Sequence, residues 1–180
     1  KWTRPPLMDA HEKQAAGLSF ESLVEEYYRG LYQFALSLAG AEAEASDLTQ
    51  QTFLVWAKKG HQLRDASKAK TWLFTTLHRE FLQTRRRQSR FPHQELDTAE
   101  NEIPPVTPTM VNELDADDVM TALQRVNELY QAPVALFYIE ELSYKEIAEV
   151  LDVPIGTVQS RIARGKSELR QLVLSKENRG

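Results

Sequence analysis

The sequence contains no cysteine, which excludes disulfide frameworks, thiolate zinc sites, iron–sulfur clusters and cysteine nucleophiles. It has no apolar run near the roughly 20 residues that a membrane-spanning helix needs, and no signal-peptide pattern opens the chain. No stretch shows the period-two alternation of a half-buried strand. We therefore expect an all-α, cytoplasmic protein that does not insert into a membrane. Residue 1 is Lys, and Met8 is a candidate natural start behind a short leader.

Residues suited to catalysis or metal binding are also sparse. No glycine-rich loop could hold a phosphate, and the acids near residue 115 lack the glycine and terminal glutamate of a calcium loop. We expect one of these acids, Asp117 or Asp118, to cap a helix beginning near Val119. The four histidines are scattered along the chain: His11, His61, His78 and His93. The sequence therefore predicts no enzyme, no cofactor and no metal site.

The net charge of −4 conceals a segregation of charge along the chain. Residues 1–90 carry 14 Lys/Arg against 10 Asp/Glu, residues 91–119 carry eight acids and no base, and residues 120–180 carry eight of each. An excess of basic residues in the first half favours a polyanionic partner for that half.

Three amphipathic helices are predicted in the first half. The first begins after Ser19 as N-cap and ends at Gly40, and the second begins near Ser46 or Asp47 and ends before Gly60. The third begins near Ser67 and continues into a run of arginines. We expect these helices to form one bundle over residues 19–90, preceded by a disordered leader over residues 1–18.

Residues 91–118 interrupt the helical pattern. They hold four of the eight prolines, eight acids and no base, which predicts an extended linker. A second helical domain is expected over residues 119–174, followed by a tail over residues 175–180. Within it, Pro133 should break the chain before a short apolar helix from Val134 to Ile139.

A helix-turn-helix is predicted between Leu142 and Arg170. Ser143 and Glu146 form a capping-box pattern at the start of one short helix, and a turn after Pro154 leads into a second helix with basic residues on its surface. The alternative interpretation of the same segment is a helical hairpin with a solvated basic face. The side chains of the second helix that could enter a major groove are Thr157, Gln159, Ser160, Arg161, Arg164 and Lys166.

Two motifs in this order resemble bacterial extracytoplasmic-function (group IV) sigma factors of the sigma-70 family. The sequence LSYKEIAEVL at Leu142–Leu151, followed by VPIGTVQSRI at Val153–Ile162, resembles their region 4. The sequence DLTQQTFLVW at Asp47–Trp56 resembles their region 2, as does Trp72-Leu73-Phe74 running on to Arg85–Arg87. The resemblance implies a dissociable subunit of RNA polymerase that recognises promoter DNA, and it makes an anti-sigma protein a candidate partner.

The resemblance also implies a role for each segment. Region 4 would read the −35 element as duplex through the second helix and contact the flap of the second-largest core subunit. Region 2 would bind the clamp of the largest core subunit and melt the −10 element. The residues implied at the polymerase are Asp47, Gln50, Gln51, Phe53 and Trp56. The residues implied at the melted strand are Lys70, Trp72, Thr75, His78, Arg79, Arg85, Arg86 and Arg87.

Several of these residues have an alternative interpretation. Trp72 is either a surface for an unstacked base or a core residue, because aromatic residues at helical spacing usually face inward. The arginine run either holds DNA or forms a solvated helix end favourable to the helix dipole. The acidic linker is a mimic of RNA in the polymerase, a solubilising spacer, or a segment that masks the basic helices.

The sequence departs from the family pattern at three places. Few acids precede Leu48 and Gln51 replaces a glutamate, so Ser46 or Thr49 is a candidate for a phosphorylation that restores charge. Arg79 replaces a common asparagine, and Gln159 replaces a common lysine.

Two rival functions remain open on the sequence. One is a stand-alone helix-turn-helix regulator that binds duplex DNA without polymerase, and the other is a helical adaptor that binds an acidic protein.

Overall fold

The computed structural model describes residues 18–89 and 116–177, and the elements in these ranges are α-helices and two short 3-10 segments, with no strand. The predicted all-α fold is confirmed. The helices of the first unit are α1 (Phe20–Ala39), α2 (Glu42–Lys59) and α3 (Ala69–Gln88), with 3-10 segments at Gly60–Gln62 and Ala66–Lys68. The helices of the second unit are α4 (Ala116–Leu123), α5 (Glu128–Tyr138), α6 (Tyr144–Leu151) and α7 (Ile155–Glu177). The predicted leader, most of the linker and the end of the tail lie outside the described residues.

The ends of α1 are where the sequence places them. The Ser19 side chain accepts a hydrogen bond from the Ser22 N–H at 3.1 Å, which satisfies one of the unpaired amides of the first turn. Gly40 adopts a left-handed conformation with φ 72°, and its N–H donates to the Leu36 carbonyl. A left-handed residue suits glycine, which has no Cβ to clash.

The start of α2 differs from the prediction. The helix begins at Glu42 rather than near Ser46 or Asp47, and no side chain caps it. Ala41 is extended, and its carbonyl accepts from the Ala45 N–H at 2.9 Å. Glu42 and Glu44 lie in the first turn, where negative charge stabilises the helix dipole. Alanine propensity and this charge therefore begin the helix where the sequence shows no capping residue.

The core of the first unit lies where the three helices meet. Its fully buried side chains include Leu31, Phe34, Leu73, Phe74 and Leu77. The Phe34 and Phe74 rings have centroids 5.6 Å apart, which joins α1 to α3. These apolar positions recur at helical spacing, so burial of one stripe on each helix drives the bundle together.

The second unit begins differently from the prediction. Helix α4 starts at Ala116 rather than near Val119, so Asp117 and Asp118 lie within the helix and not at the N-cap position before it. The chain then turns, and Asn127 caps α5 by accepting from the Leu129 N–H at 3.0 Å.

Pro133 does not break the chain as predicted, because it lies inside α5. Two hydrogen bonds from a buried side chain stabilise the turn before α5. The Gln131 side-chain amide donates to the Val126 carbonyl at 2.7 Å and to the Gln124 carbonyl at 3.2 Å. The Asn127 cap and the Gln131 bonds begin the helix upstream of Pro133. The proline therefore removes only one backbone N–H donor from α5.

The helix-turn-helix forms as predicted from α6 and α7. The Ser143 side chain accepts from the Glu146 N–H, and the Glu146 carboxylate accepts from the Ser143 N–H at 2.8 Å, which completes the capping box. Asp152 ends α6 in a left-handed conformation with φ 55°, and a second left-handed residue, Glu141 at φ 53°, precedes the helix. Val158 and Ile162 bury the inner face of α7.

The two units pack against each other. Helix α1 contacts α5, and α3 contacts α6. The Lys70 ammonium donates to the Glu140 carbonyl at 2.9 Å, and the Lys68 ammonium lies 3.5 Å from the Glu149 carboxylate. Polar side chains therefore take part in the contact between the units.

Candidate nucleic-acid interface

The residues predicted to read duplex DNA lie together on the first three turns of α7. Thr157, Ser160, Arg161 and Arg164 follow a spacing of three and four residues, which places them along one stripe of the helix. Gln159 is exposed on an adjoining stripe that continues to Lys166. The Ser160 hydroxyl donates to the Thr157 carbonyl at 3.1 Å, and the Lys166 ammonium lies 5.8 Å from the centre of the Tyr138 ring.

The local sequence explains why the first turn of α7 is accessible, whereas the stripe of Thr157, Ser160, Arg161 and Arg164 is half-buried. Val158 and Ile162 hold one side of the helix against the second unit, while Ile155 and Gly156 at its start are exposed. A helix that is anchored on one side and begins at an exposed turn can present its N-terminal side chains to a groove. The structure brings this predicted set together, and its role at the −35 element stays a prediction.

The residues predicted at the melted strand spread along the whole of α3. Lys70, Trp72 and Thr75 lie in its first half, His78 and Arg79 near its middle, and Arg85–Arg87 in its last turn. The Arg85 guanidinium lies 5.1 Å from the centre of the Phe81 ring, while Arg86 and Arg87 are exposed. Positive charge at a helix C-terminus is favourable to the dipole, so the arginine run also stabilises α3.

Both interpretations of Trp72 describe part of its environment. The ring is half-buried and meets the Trp56 ring edge to face, with centroids 5.0 Å apart. The same residue lines an open cavity of about 280 Å³ at the start of α3. The residues that line this cavity are Leu63, Lys68, Thr71, Trp72, Thr75, Thr76, Arg79 and Glu149. We call it the α3 pocket.

The chemistry of the α3 pocket suits a nucleotide. Lys68 and Arg79 supply positive charge for a phosphate, and the Trp72 indole supplies an aromatic surface for a base. The Thr75 and Thr76 hydroxyls donate to the Thr71 and Trp72 carbonyls of their own helix. These two hydroxyls can still accept a hydrogen bond from a base.

His78 is held neutral at the middle of α3. Burial, together with the positive charges of Arg161 and Arg79, lowers the pKa of this imidazole to about 4. Arg161 belongs to α7, so the N-terminal half of α7 lies near α3 in this structure. A neutral His78 supplies no positive charge to DNA at neutral pH.

The residues predicted to bind polymerase separate into two groups on α2. Asp47, Gln50 and Gln51 are exposed along one face. Phe53 and Trp56 are 6% and 4% exposed and belong to the core. The Phe53 ring lies 6.3 Å from the rings of both Phe20 and Tyr28. The prediction that Phe53 and Trp56 face a partner is therefore corrected, because both side chains are already packed.

The two predicted modification sites also differ from each other. Thr49 is fully buried and its hydroxyl donates to the Ala45 carbonyl at 2.8 Å, so a kinase cannot reach it in this fold. Ser46 is half-buried, and its oxygen accepts from the Gln50 amide at 3.4 Å. Of the two, only Ser46 remains a candidate for phosphorylation.

Sequence reasoning missed three residues of these surfaces. Leu54 is 54% exposed on the same face of α2 as Gln50 and Gln51, an apolar position that the helical pattern does not bury. Glu140 and Glu149 meet Lys70 and Lys68 across the two units. Only the exposure of Leu54 had a signal in the sequence, because its position breaks the amphipathic stripe.

Two other kinds of site have no candidate within the described residues. No group of three or more His, Asp or Glu side chains in residues 18–89 and 116–177 is arranged to hold a metal ion. No helix of these two ranges is long and apolar enough to cross a bilayer.

Comparison with known proteins identifies the two units. The family model of sigma-70 region 2 matches residues 23–91, and that of sigma-70 region 4 matches residues 116–169. The two matches in this order define a transcription initiation factor of the sigma-70 class.

Individual relatives narrow the class. The ECF RNA polymerase sigma factor SigE of Mycolicibacterium smegmatis is 34% identical over 173 residues, which cover 93% of this chain and 66% of SigE. SigL of Mycobacterium tuberculosis is 31% identical over 152 residues, which cover 83% of this chain and 85% of SigL. The solved structure of the sigma factor RpoE from Bartonella quintana, in complex with the anti-sigma factor NepR, matches with a TM-score of 0.68 and 27% identity. This match covers 86% of this chain and 96% of RpoE.

The chain belongs to the extracytoplasmic-function sigma factors, the family that binds RNA polymerase and directs it to specific promoters. The predicted resemblance is confirmed. The stand-alone regulator is not favoured, because it gives no role to the region 2 match over α1–α3.

Proposed function

We propose that the two units divide promoter recognition between them, with α3 binding the melted −10 strand and α7 reading the −35 duplex. The observation that carries this proposal is the placement of cationic and aromatic groups around the α3 pocket, in the unit that matches region 2. Base stacking on an aromatic side chain is worth about 1–3 kcal/mol, comparable to the cost of unstacking one base. The exposed start of α7, in the unit that matches region 4, supports the second half of the proposal.

The exposed face of α2 is the proposed contact with the clamp of the largest polymerase subunit. Leu54 supplies an apolar centre there, and Asp47, Gln50 and Gln51 surround it with polar groups. An apolar centre within a polar rim is the usual organisation of a protein interface. The second unit is the proposed contact with the flap of the second-largest subunit. The match to RpoE supports an anti-sigma protein as a further partner of this chain.

The α2 contact can be tested by size exclusion with sigma-free core polymerase. Leu54→Arg should abolish co-elution, because it places a charge at the centre of the contact. Leu82→Arg is the matched control, since Leu82 is 37% exposed on α3, outside both proposed polymerase contacts. Equal co-elution of both variants would contradict the assignment of α2.

The DNA roles can be tested by sequencing the transcripts that the holoenzyme starts on genomic DNA. A shared motif upstream of the starts would supply the promoter. Arg161→Ala should then weaken recognition of the upstream element and reduce the salt slope by about one unit for each phosphate that the variant no longer neutralises. Arg170→Ala, on the same helix but two turns further on, is the control. An unchanged slope for Arg161→Ala would place the recognition surface elsewhere.

A further inference from the structure

We propose that Arg79 makes the α3 pocket selective for an unpaired guanine, so that the melted strand carries guanine at the position that enters this pocket. The inference rests on the proposed role of α3 at the melted strand, and it names the base that this site accepts. Three features carry it: the place of Arg79 in the pocket, the availability of its guanidinium, and the direction of the hydrogen bonds from Thr75 and Thr76.

Arg79 and Trp72 lie at opposite ends of one stripe of α3. Trp72, Thr76 and Arg79 are four and three residues apart, which places them on the same face of the helix, and all three line the pocket. Seven residues along a helix separate the first and last Cα atoms by about 10.5 Å. Long side chains of a helix lean toward its N-terminus, so we expect the guanidinium to extend back toward the indole. A base stacked on Trp72 then presents its far edge to Arg79.

The Arg79 guanidinium is available to a ligand. The residue is exposed, and no acid of the two described ranges forms a salt bridge with it. Lys68, the other cation of the pocket, is paired with the Glu149 carboxylate at 3.5 Å. A guanidinium has five N–H donors and no acceptor, so the Arg79 end of the pocket offers hydrogen-bond donors only.

The two threonines in the middle of the stripe offer acceptors instead. The Thr75 hydroxyl donates to the Thr71 carbonyl at 2.7 Å, and the Thr76 hydroxyl donates to the Trp72 carbonyl at 2.9 Å. Each hydroxyl has a single proton, so its remaining capacity is to accept. The pocket therefore has an aromatic surface at one end, acceptors in the middle and donors at the other end.

Guanine matches this order of groups. Its N7 and O6 atoms accept two hydrogen bonds from one guanidinium, the commonest base-specific contact of arginine. Its N1–H and N2 amino groups can donate to the threonine oxygens once no Watson–Crick partner occupies them. Adenine carries an amino donor in place of O6, which opposes the donors of Arg79. A pyrimidine has a single ring and spans less of the distance between Trp72 and Arg79.

Exchange of the preferred base is the first test. Glutamine forms a bidentate pair with adenine, so Arg79→Gln should change the preferred base at one −10 position from guanine to adenine. Arg86→Gln is the matched control, because it removes the same charge from an exposed position of α3 that does not line the pocket. The assay is transcription by the reconstituted holoenzyme from a library of the mapped promoter in which each −10 position is randomised.

We expect the wild type to favour guanine over adenine by at least about fivefold at that position, and Arg79→Gln to reverse the order. Arg86→Gln should weaken all promoters of the library alike, since a phosphate contact carries no sequence information.

Removal of one acceptor atom from the base is the second test. The probe is a fluorescein-labelled single strand spanning the mapped −10 element, with either guanine or 7-deazaguanine, which has carbon in place of N7. Holoenzyme is titrated into each probe and binding is followed by anisotropy. The wild type should bind the 7-deazaguanine strand at least about threefold more weakly. Arg79→Ala should bind both strands equally, because no guanidinium remains to lose a hydrogen bond.

A wild type that favours guanine at no −10 position would overturn the inference, as would a guanine preference that Arg79→Gln leaves unchanged. Equal affinity of the wild type for the two strands would overturn it without reliance on any variant. Failure of the proposed function gives a different result. Single-strand binding that both Arg79→Ala and Arg86→Gln leave unchanged would place the melted strand away from α3, whereas binding that both variants weaken without any base preference overturns only the selectivity for guanine.

Discussion

The crossing of α5 and α7 depends on Gly165, and its replacement by alanine tests how closely the helices pack. A Cβ at this position would lie 2.5 Å from the Val134 Cγ2 atom and 2.8 Å from the Tyr130 Cβ atom. Val134 is 1% exposed, so its methyl group has no open space to move into. The Tyr130 Cβ atom is fixed to the backbone, and the helices must therefore move apart.

Two opposing effects set the magnitude. Overpacking a core costs about 1–3 kcal/mol, and contacts to a buried methyl and a Cβ atom place Gly165→Ala toward the upper end. Alanine in place of glycine inside a helix returns up to about 1 kcal/mol. We expect a net loss of about 1–2 kcal/mol in the free energy of unfolding of the second unit. For a domain of this size, each kcal/mol lowers Tm by about 4–8 °C.

The assay is thermal unfolding followed by circular dichroism and by tryptophan fluorescence. Trp56 and Trp72, two of the three tryptophans, lie in the first unit, so the fluorescence transition should shift less than the circular dichroism transition when the second unit is destabilised. Gly156→Ala is the matched control in the same helix, because a Cβ there meets no atom within 4 Å and should not destabilise the protein. If Gly165→Ala left Tm unchanged or raised it, the close packing of α5 on α7 would be refuted.

Three further predictions follow from the contacts described above. Ser143→Ala removes the capping box of α6 and should lower the free energy of unfolding by about 1 kcal/mol, measured by urea denaturation with Ser175→Ala as control; equal midpoints would contradict it. Trp56→Ala should lower the free energy of unfolding by about 3–5 kcal/mol. Trp56→Phe, in contrast, should fold and still co-elute with core polymerase. Loss of co-elution by the folded Trp56→Phe variant would show that Trp56 does contact the polymerase. His78 should titrate near pH 4 by NMR. Because its pKa is lowered on folding, the stability from neutral His78 is complete above pH 6.5 and is lost as the pH falls toward 4; a measured pKa near 6.5 would contradict its burial.

Local signals in the sequence predicted the helix ends that side chains or glycine determine. Ser19, Gly40 and the Ser143–Glu146 pair act where the pattern placed them, because a cap is a short-range interaction between neighbouring residues. The predicted start of α2 and the predicted break at Pro133 were wrong, because neither feature depends on a capping pattern between neighbouring residues. Helix α2 starts without a side-chain cap, and α5 is held by Gln131 bonds that no neighbouring pattern reveals.

The candidate sites were predictable as helices and less so as surfaces. The residues of α7 share a stripe because helical spacing alone places them there. Burial of Phe53 and Trp56 depends on aromatic partners from α1 and α3, including Phe20 and Trp72. The contacts of Lys68 and Lys70 with the second unit depend on residues about 70 positions away in the chain. Spacing within one helix contains no information about either.

The two left-handed residues around α6 are positions where a substitution could raise the stability of the protein. Glu141 and Asp152 have φ of 53° and 55°, a conformation that costs a side chain about 1–2 kcal/mol relative to glycine, and less for aspartate. Neither residue belongs to the stripe of α7 that Thr157, Ser160, Arg161 and Arg164 form. Glu141→Gly should therefore stabilise the helix-turn-helix without altering the side chains of that stripe, a gain in stability that this sequence does not use.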